Sequence, residues 1–378
     1  MDLSGKTVVL AVTGSIAAVE TIRLAHALKR KGAVVQPVMS PAACFIIHPD
    51  ALTYACGRET ITRISGHVEH VIYCGDEGQG DLLLIAPCTA NTISKIACGI
   101  DDTPVTTFAT TALGRKMPVI LVPAMHHAMF RHEMVMENLE KLTHFGITVV
   151  GPRIEEGKAK IADSRDIVLW CERLLSGMPL SGRRVVITSG RCEEPVDDVR
   201  VLTTRSSGMI GKELAFEAFR LGAEVTIIHR DTIGIGENIP VTTAASMGDA
   251  VKRILSAQPV DIYISAAAVS DFAPVRVEGK IPSGTDFSLR LLALPKILDL
   301  AEGIPLVVGF KLGEHAQEEA KDLLSRGVQI VLTNTAANLG TRDGRYTLVD
   351  RSGPVEIAGT KEEIAARVFG HILEHHHP

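Results

Sequence analysis

Aromatic residues are scarce: Phe, Trp and Tyr make up 4% of the 378 residues, and there is a single Trp. A chain built on small residues with many Val, Ile and Ala suits α/β layers rather than a β-sandwich. Neither charge dominates. The 39 Lys+Arg stand against 44 Asp+Glu, a formal charge of -5, so no basic excess points to nucleic acid and no like-charge block forms a tail. Seven cysteines, at 44, 56, 74, 88, 98, 171 and 192, contain no CxxC, and their odd number argues against a disulfide framework. Long apolar runs are missing as well. The stretch Met117–Met125 falls far short of the ~20 residues that cross a bilayer, so no membrane partner is expected. The opening MDLSGKTVVLAVTGS lacks a basic segment, a long apolar core and a cleavage site. A reducing cytoplasm is the expected location.

What is present is ordinary globular material, 46% apolar and 22% charged, which excludes disorder over most of the chain. At roughly 100–200 residues per domain the length suggests two or three domains. Two segments echo each other, LSGKTVVLAVTGS from Leu3 and LSGRRVVITSG from Leu180. Each is a β-branched run ending in a Gly-containing turn before helix-like sequence, as a βα unit opens. The polar stretch Ser176–Arg183 is a candidate linker, which gives domains 1–177 and 178–378. Apolar strands alternate with helical segments in both halves, and the expectation is two doubly wound, Rossmann-like α/β domains. Expected strands in the first half are Thr7–Val12, Val34–Met39, Leu82–Ala86, Val119–Pro123 and Thr148–Val150. Expected helices there are Ala17–Lys31, Thr89–Cys98 and Met134–Phe145. The tract His375, His376 and His377 reads as a helix tail, with metal binding as the alternative.

In the first half, Thr13-Gly14-Ser15-Ile16-Ala17 follows the first strand. It is either a phosphate cradle at a helix N-terminus or a plain βα turn. Ala86-Pro87-Cys88-Thr89-Ala90-Asn91-Thr92 ends another strand, and either approaches a flat ligand or caps a helix. Gly66-His67-Val68-Glu69-His70 holds two histidines that would share a face if both lay on one helix. Pro123-Ala124-Met125-His126-His127-Ala128-Met129-Phe130 follows a strand and could line a pocket. Taken together and in order, TGSIAA, GHVE, APCTANTISKIACGIDD and PAMHHAM resemble the flavoprotein cysteine decarboxylases, over about residues 4–170. The resemblance implies a flavodoxin-like domain binding FMN between protomers of a trimer. It implies that Gly14, Ser15, Ile16 and Ser40 meet the ribityl-phosphate, and that Pro87, Thr89, Ala90 and Asn91 line flavin or substrate. His67 would be catalytic, and Asn91, Met125, His126 and Lys158 would touch substrate. Two positions depart from the bacterial pattern: His126 stands where PAMN has Asn, and the flap segment Glu155–Ala162 has no Cys, as in the archaeal branch. The implied chemistry is transient oxidation of the substrate thiol by flavin, loss of CO₂, and return of the hydride.

In the second half, Ser189-Gly190-Arg191-Cys192-Glu193-Glu194-Pro195-Val196-Asp197-Asp198-Val199-Arg200 follows a strand, and Thr204-Arg205-Ser206-Ser207-Gly208-Met209 opens a helix. Two hydroxyls and glycine before a helix make either a phosphate cradle or a capped start, without the GK[ST] of a P-loop. Ala267-Ala268-Val269-Ser270-Asp271-Phe272, Gly279-Lys280-Ile281, Val308-Gly309-Phe310-Lys311 and Leu332-Thr333-Asn334 follow. This series resembles the phosphopantothenate–cysteine ligase half of bifunctional coenzyme A biosynthesis enzymes, over roughly residues 180–373. The resemblance implies nucleotide binding by Ser189, Gly190, Ser206, Ser207, Gly208, Asp271, Lys280, Phe310, Lys321, Arg326 and Asn334. Lys280 would stabilise nucleotidyl transfer, Asp271 would hold Mg²⁺, and Thr204, standing at a family Asn position, would touch substrate.

The expected function is ligation of cysteine to 4'-phosphopantothenate at the expense of CTP, or of ATP or UTP, followed by FMN-dependent decarboxylation to 4'-phosphopantetheine. The resemblance implies a homo-oligomer, a trimer or a dodecamer. Two alternatives stay open: a non-catalytic flavin-binding regulator, and a flavoprotein decarboxylase for another cysteine-containing substrate.

Overall fold

A computed structural model describes residues 3–284 and 286–376; His377 of the histidine tract lies outside them. The chain forms two compact units, one ending at Ser176 and one beginning at Gly177.

The first unit contains β1 (Thr7–Val12), α1 (Thr21–Arg30), β2 (Val34–Met39), α2 (Pro41–Cys44), α3 (Pro49–Cys56), α4 (Glu69–Cys74), β3 (Leu82–Cys88), α5 (Ala90–Ala97) and α6 (Pro104–Gly114). It continues through β4 (Val119–Pro123), β5 (Met125–His126), α7 (His127–Phe130), α8 (Glu133–His144), β6 (Thr148–Val149), β7 (Arg153–Glu155), β8 (Lys158–Lys160) and α9 (Ser164–Leu175). Its main sheet runs β2-β1-β3-β4-β6 and is parallel throughout. Strand side chains alternate faces, so Val8, Leu10, Val12, Leu82 and Leu84 enter one core while Val9, Ala11, Leu83 and Ile85 enter the other. This two-sided burial is why the strands read as unbroken apolar runs. The strand order reverses between β1 and β3. At such a switch point the βα loops part, opening a crevice beyond the strand C-termini. There Thr13 Oγ1 donates to Pro87 O (2.7 Å) and accepts from Thr89 N–H (3.0 Å), tying the two loops together.

The expected helix Ala17–Lys31 is interrupted: Ser15 caps a 3₁₀ turn over Ile16–Glu20, and only then does α1 begin. The main-sheet strands were legible, but α6 was not. Its sequence PVTTFATTALG is rich in β-branched residues with poor helix propensity. A capping box between Thr103 and Thr106, and Pro at the first turn, start it.

The second unit contains β9 (Arg184–Thr188), β10 (Glu193–Pro195), β11 (Val201–Thr203), α10 (Met209–Arg220), β12 (Glu224–His229), β13 (Glu237–Pro240), α11 (Ala244–Ala257) and β14 (Ile262–Ser265). After these come β15 (Phe272–Pro274), β16 (Leu291–Ala293), β17 (Leu306–Leu312), α12 (Ala316–Ser325), β18 (Ile330–Asn334), β19 (Asp343–Asp350), β20 (Gly353–Thr360) and α13 (Lys361–His375). Its sheet runs β13-β12-β9-β14-β17-β18-β19-β20. The first six strands are parallel, and the last two add antiparallel pairings. On one face α11 and α12 cover Val186, Tyr263, Val307 and Val331. Helices α10 and α13 pack together, and α13 rests on β19 and β20.

Candidate active sites

The first unit places the expected cradle residues at the C-terminal ends of β1, β2 and β3. Gly14 must be glycine: a Cβ there would lie 2.6 Å from Ala42 Cβ, so the β1 turn seats directly on α2. Ser15 Oγ accepts from Ala17 N–H (3.4 Å), and Ser40 Oγ accepts from Ala43 N–H (3.3 Å). Each hydroxyl keeps its own proton for an outside acceptor. Thr89 caps α5, Ala90 and Pro87 are buried, and Asn91 is exposed in the first turn of α5. Two serine hydroxyls, helix starts and a bare glycine at a switch point form a donor set that fits the phosphate end of a flavin nucleotide.

Next to this cradle lies a cavity of about 730 Å³, lined among others by Ser15, Ile16, Met125, His126, Lys158 and Lys160. That size suits a small-molecule site. Its outer wall is the flap. Strands β7 and β8 form a hairpin, and β8 pairs antiparallel with β5, setting Met125 opposite Ala159 and His126 opposite Lys158. His126 and Lys158 of the Cys-free flap segment are therefore cross-strand neighbours. His126 Nδ1 accepts from Ala128 N–H (3.3 Å). With Nδ1 taken as the acceptor, the neutral ring carries its proton on Nε2 and can donate as an Asn amide would. Lys160 pairs with Glu155 and Glu156, and Arg153 with Asp163 and Glu155, whereas the Lys158 side chain makes no hydrogen bond or ion pair among the described residues.

His67 is exposed on the loop before α4 and does not line this cavity. Only His70 lies in that helix, and Val68 between them has φ +49°, so the two histidines do not share a helical face. Ser65 fixes the loop. Its N–H donates to Glu69 Oε2 (2.9 Å), its hydroxyl donates to Glu69 Oε1, and its Oγ accepts from His67 N–H (3.1 Å). These bonds, helped by the charge of His67, hold the Glu69 carboxyl below its usual range.

In the second unit, Ser189 and Gly190 end β9. Ser189 Oγ donates to Gly208 O (3.0 Å). Gly208 sits at φ +70°, with a hypothetical Cβ 2.8 Å from Gly190 Cα, so the loop before α10 packs backbone to backbone on the strand end. Ser206 Oγ accepts from Gly208 N–H (3.3 Å), and Ser207 is exposed beside it. Thr204 Oγ1 donates to Ala268 O (3.3 Å), and Ala268 N–H donates to Gly190 O (2.8 Å), which brings the end of β14 to the same place.

Lys280 is exposed and makes no hydrogen bond or ion pair among the described residues. Asp197, buried at 3% exposure, anchors its loop. The Asp197 carboxylate accepts N–H groups from Val199 (2.8 Å), Arg200 (2.6 Å) and Ile281 (3.1 Å), together with the Arg200 guanidinium. Burial works against the charge, but these donors win and hold the carboxyl at about 2. Asp197 was not among the expected site residues, although its motif EPVDDVR was visible; nothing in the sequence tells that it reaches 84 positions onward to Ile281.

Asp271 is exposed and paired with Lys296. Phe310 packs edge-on against Tyr346, and Asn334 ends β18. Lys321 is exposed halfway along α12. Arg326 is exposed as well. It follows the last turn of α12, at the edge where β18 begins, and pairs with Asp299 (2.5 Å).

Comparison with known proteins now decides the lineage. Residues 1–176 match the Flavoprotein family, and residues 180–375 match the DNA/pantothenate metabolism flavoprotein C-terminal domain. The chain is 42% identical to the coenzyme A biosynthesis bifunctional protein CoaBC of Thermococcus kodakarensis, covering 98% of this chain and 95% of that one. The chain belongs to the bifunctional coenzyme A biosynthesis protein family. The CoaBC protein of Methanocaldococcus jannaschii is 34% identical over 97% of this chain and 93% of its own. Among solved structures, the C-terminal domain of a CoaBC protein matches 52% of this chain and 96% of its own, at 26% identity and a TM-score of 0.43. Within this family the fold is that of two α/β units, a flavoprotein unit followed by a ligase unit. Among the described residues no helix is long and apolar enough to cross a membrane.

Proposed function

We propose that the unit ending at Ser176 decarboxylates phosphopantothenoylcysteine with FMN, and that the unit beginning at Gly177 makes that compound from 4'-phosphopantothenate, cysteine and a nucleoside triphosphate. The chain is a bifunctional enzyme of coenzyme A biosynthesis, a flavoprotein decarboxylase joined to a ligase. The observation that carries the assignment of parts is the β5–β8 pairing, which folds the flap over a cavity that the Ser15 cradle also lines.

Gly14, Ser15, Ile16 and Ser40 hold the FMN phosphate, and Pro87, Thr89, Ala90 and Asn91 border its ring or the substrate. Bound FMN supplies a reversible hydride store, so the reaction has no net redox change. His126 Nε2–H and Lys158 bind the substrate carboxylate, and Met125 packs against its chain. His67 moves the proton of the substrate thiol. Its distance from the cavity of its own chain fits a site completed by a neighbouring protomer. Exposed apolar side chains of this unit support that reading: Ile16, Phe45 and Tyr54 are 78%, 92% and 85% accessible. A homo-oligomer, as a trimer or a dodecamer, follows.

In the ligase, Gly190, Ser206, Ser207 and Gly208 cradle the phosphates, Ser189 is buried and holds Gly208 O in place, and Phe310, Lys321 and Asn334 border the nucleotide. Lys280 neutralises charge that develops as the nucleotidyl group is transferred. Thr204, whose hydroxyl donates to Ala268 O, borders the acyl-nucleotide. CTP, ATP or UTP serves as the nucleotide. Mg²⁺ is carried mainly by its phosphates, with Asp271 as the protein carboxylate, which fits the reluctance of this ion to dehydrate. A cytoplasmic location follows from the substrates.

The test is mass spectrometry of products from the purified chain given 4'-phosphopantothenate, cysteine, Mg²⁺ and CTP or ATP. Phosphopantetheine is expected. Accumulation of phosphopantothenoylcysteine would overturn the decarboxylase assignment, and absence of any new product would overturn both.

A further inference from the structure

A cluster of three ligand-bearing side chains lies outside both candidate sites. Asp350 ends β19, and its side chain is 5% exposed. Ser352, in the turn between β19 and β20, donates both its N–H (2.8 Å) and its hydroxyl (2.5 Å) to Asp350 Oδ1. These bonds orient the carboxylate and leave Oδ2 to face α13. His371 Nε2 lies 2.7 Å from Oδ2, and His376 Nε2 lies 3.7 Å from it. All three ligand atoms fall within 4.8 Å of one another. In a tetrahedral zinc site with bonds near 2.0–2.1 Å, ligand atoms stand about 3.4 Å apart, so the cluster needs only small side-chain shifts.

A plain Asp–His ion pair accounts for His371 but not for His376. The Nε2 of His376 is buried and has no hydrogen-bond partner, and it is turned to the same oxygen beyond hydrogen-bond reach. Buried polar atoms without partners are uncommon and require a cause. His376 is the C-cap residue of α13, and its ring centroid lies 5.9 Å from that of His371.

We propose that Asp350, His371 and His376 bind a divalent transition ion of the zinc, cobalt or nickel class. The ion clasps the last turn of α13 to the tip of the β19–β20 hairpin. One carboxylate oxygen and two imidazole nitrogens select these ions over Mg²⁺ and Ca²⁺, which favour oxygen-only shells. The Mg²⁺ that accompanies the nucleotide therefore does not compete for the site. Ser352 is the outer partner that fixes the carboxylate.

The test uses the full-length chain, treated with chelator, dialysed and titrated with Co²⁺ while visible absorption is recorded. One Co²⁺ per chain is expected, with the ligand-field band of a nitrogen- and oxygen-ligated ion. Zn²⁺ should erase the band and a large excess of Mg²⁺ should not. Loss of an outer partner alone weakens metal sites by 10–100-fold, so Asp350→Asn and His376→Ala should each weaken binding by at least about tenfold. His376→Ala lies in the last turn, and its thermal unfolding in chelator should match that of the parent, which separates lost binding from misfolding. A double substitution His375→Ala, His377→Ala should keep the band. No saturable band, a band indifferent to Asp350→Asn, or a band lost only in the His375/His377 variant would overturn the proposal.

Discussion

Asp197 shows how a single buried carboxylate shapes a site it need not touch. It spends its lone pairs on three backbone N–H groups and one guanidinium, and one of those N–H groups belongs to Ile281, next to Lys280. Its hydrogen-bond donors hold the folded carboxyl at about 2, against roughly 3.9 for an unperturbed Asp. A depressed carboxyl contributes stability that is complete above the unfolded value and is lost as pH falls towards the folded one. Acid unfolding of the ligase unit should therefore set in between about pH 4 and pH 2, and part of that dependence should vanish in Asp197→Asn. The same variant should slow pyrophosphate release while leaving decarboxylation of supplied phosphopantothenoylcysteine intact. Unfolding curves followed by circular dichroism across pH, together with the two assays, check this. An unchanged ligase rate would mean that the Lys280 loop does not depend on its anchor.

At the scale of elements, the flap is the piece whose position matters most. Ala159 is 2% exposed and pairs with Met125, so a carboxylate placed there would be buried without a partner, at a cost of several kcal/mol. Ala159→Asp should release β8 from β5. KM for phosphopantothenoylcysteine should rise at least about tenfold, the equivalent of 1.4 kcal/mol, with flavin content and ligase rate preserved. Steady-state kinetics and the flavin spectrum of the purified variant test this, and an unchanged KM would remove the flap from substrate binding. The flap also marks where sequence reading ends. Strands such as Thr7–Val12, Val34–Met39 and Val119–Pro123 were legible to the residue because burial on both faces writes them as apolar runs. The three-residue strands β7 and β8 carry no such run, since their pairing is set by β5 far off in sequence. The antiparallel strands β19 and β20 escaped for a related reason: half-exposed and interrupted by Gly, they look like loop. The turns at Gly14, Ser15 and Ser40 were readable because glycine and hydroxyl residues mark where a strand ends and a helix is capped. The reach of Asp197 to the Lys280 loop was not readable, because its partner Ile281 lies 84 positions further along the chain.

At the scale of the whole molecule, the two chemistries fall in separate units, each with its own sheet and its own strand-end crevice. His67 and Lys280 lie on different units, so His67→Asn should abolish CO₂ release with ligation preserved, and Lys280→Ala should do the reverse. The stronger test follows from mixing them. Phosphopantothenoylcysteine is small and charged, and the residues proposed for each step lie within one unit. An equimolar mixture of the two variants, supplied with 4'-phosphopantothenate, cysteine, Mg²⁺ and nucleotide, should therefore regain phosphopantetheine synthesis after a lag in which the intermediate builds up. Mass spectrometry of timed samples reads both the lag and the product. A mixture that accumulates phosphopantothenoylcysteine and never converts it would mean that the intermediate must pass between the units of one chain. In that case the fusion would itself be part of the mechanism, and each unit, however complete its own crevice, would be only half of an enzyme.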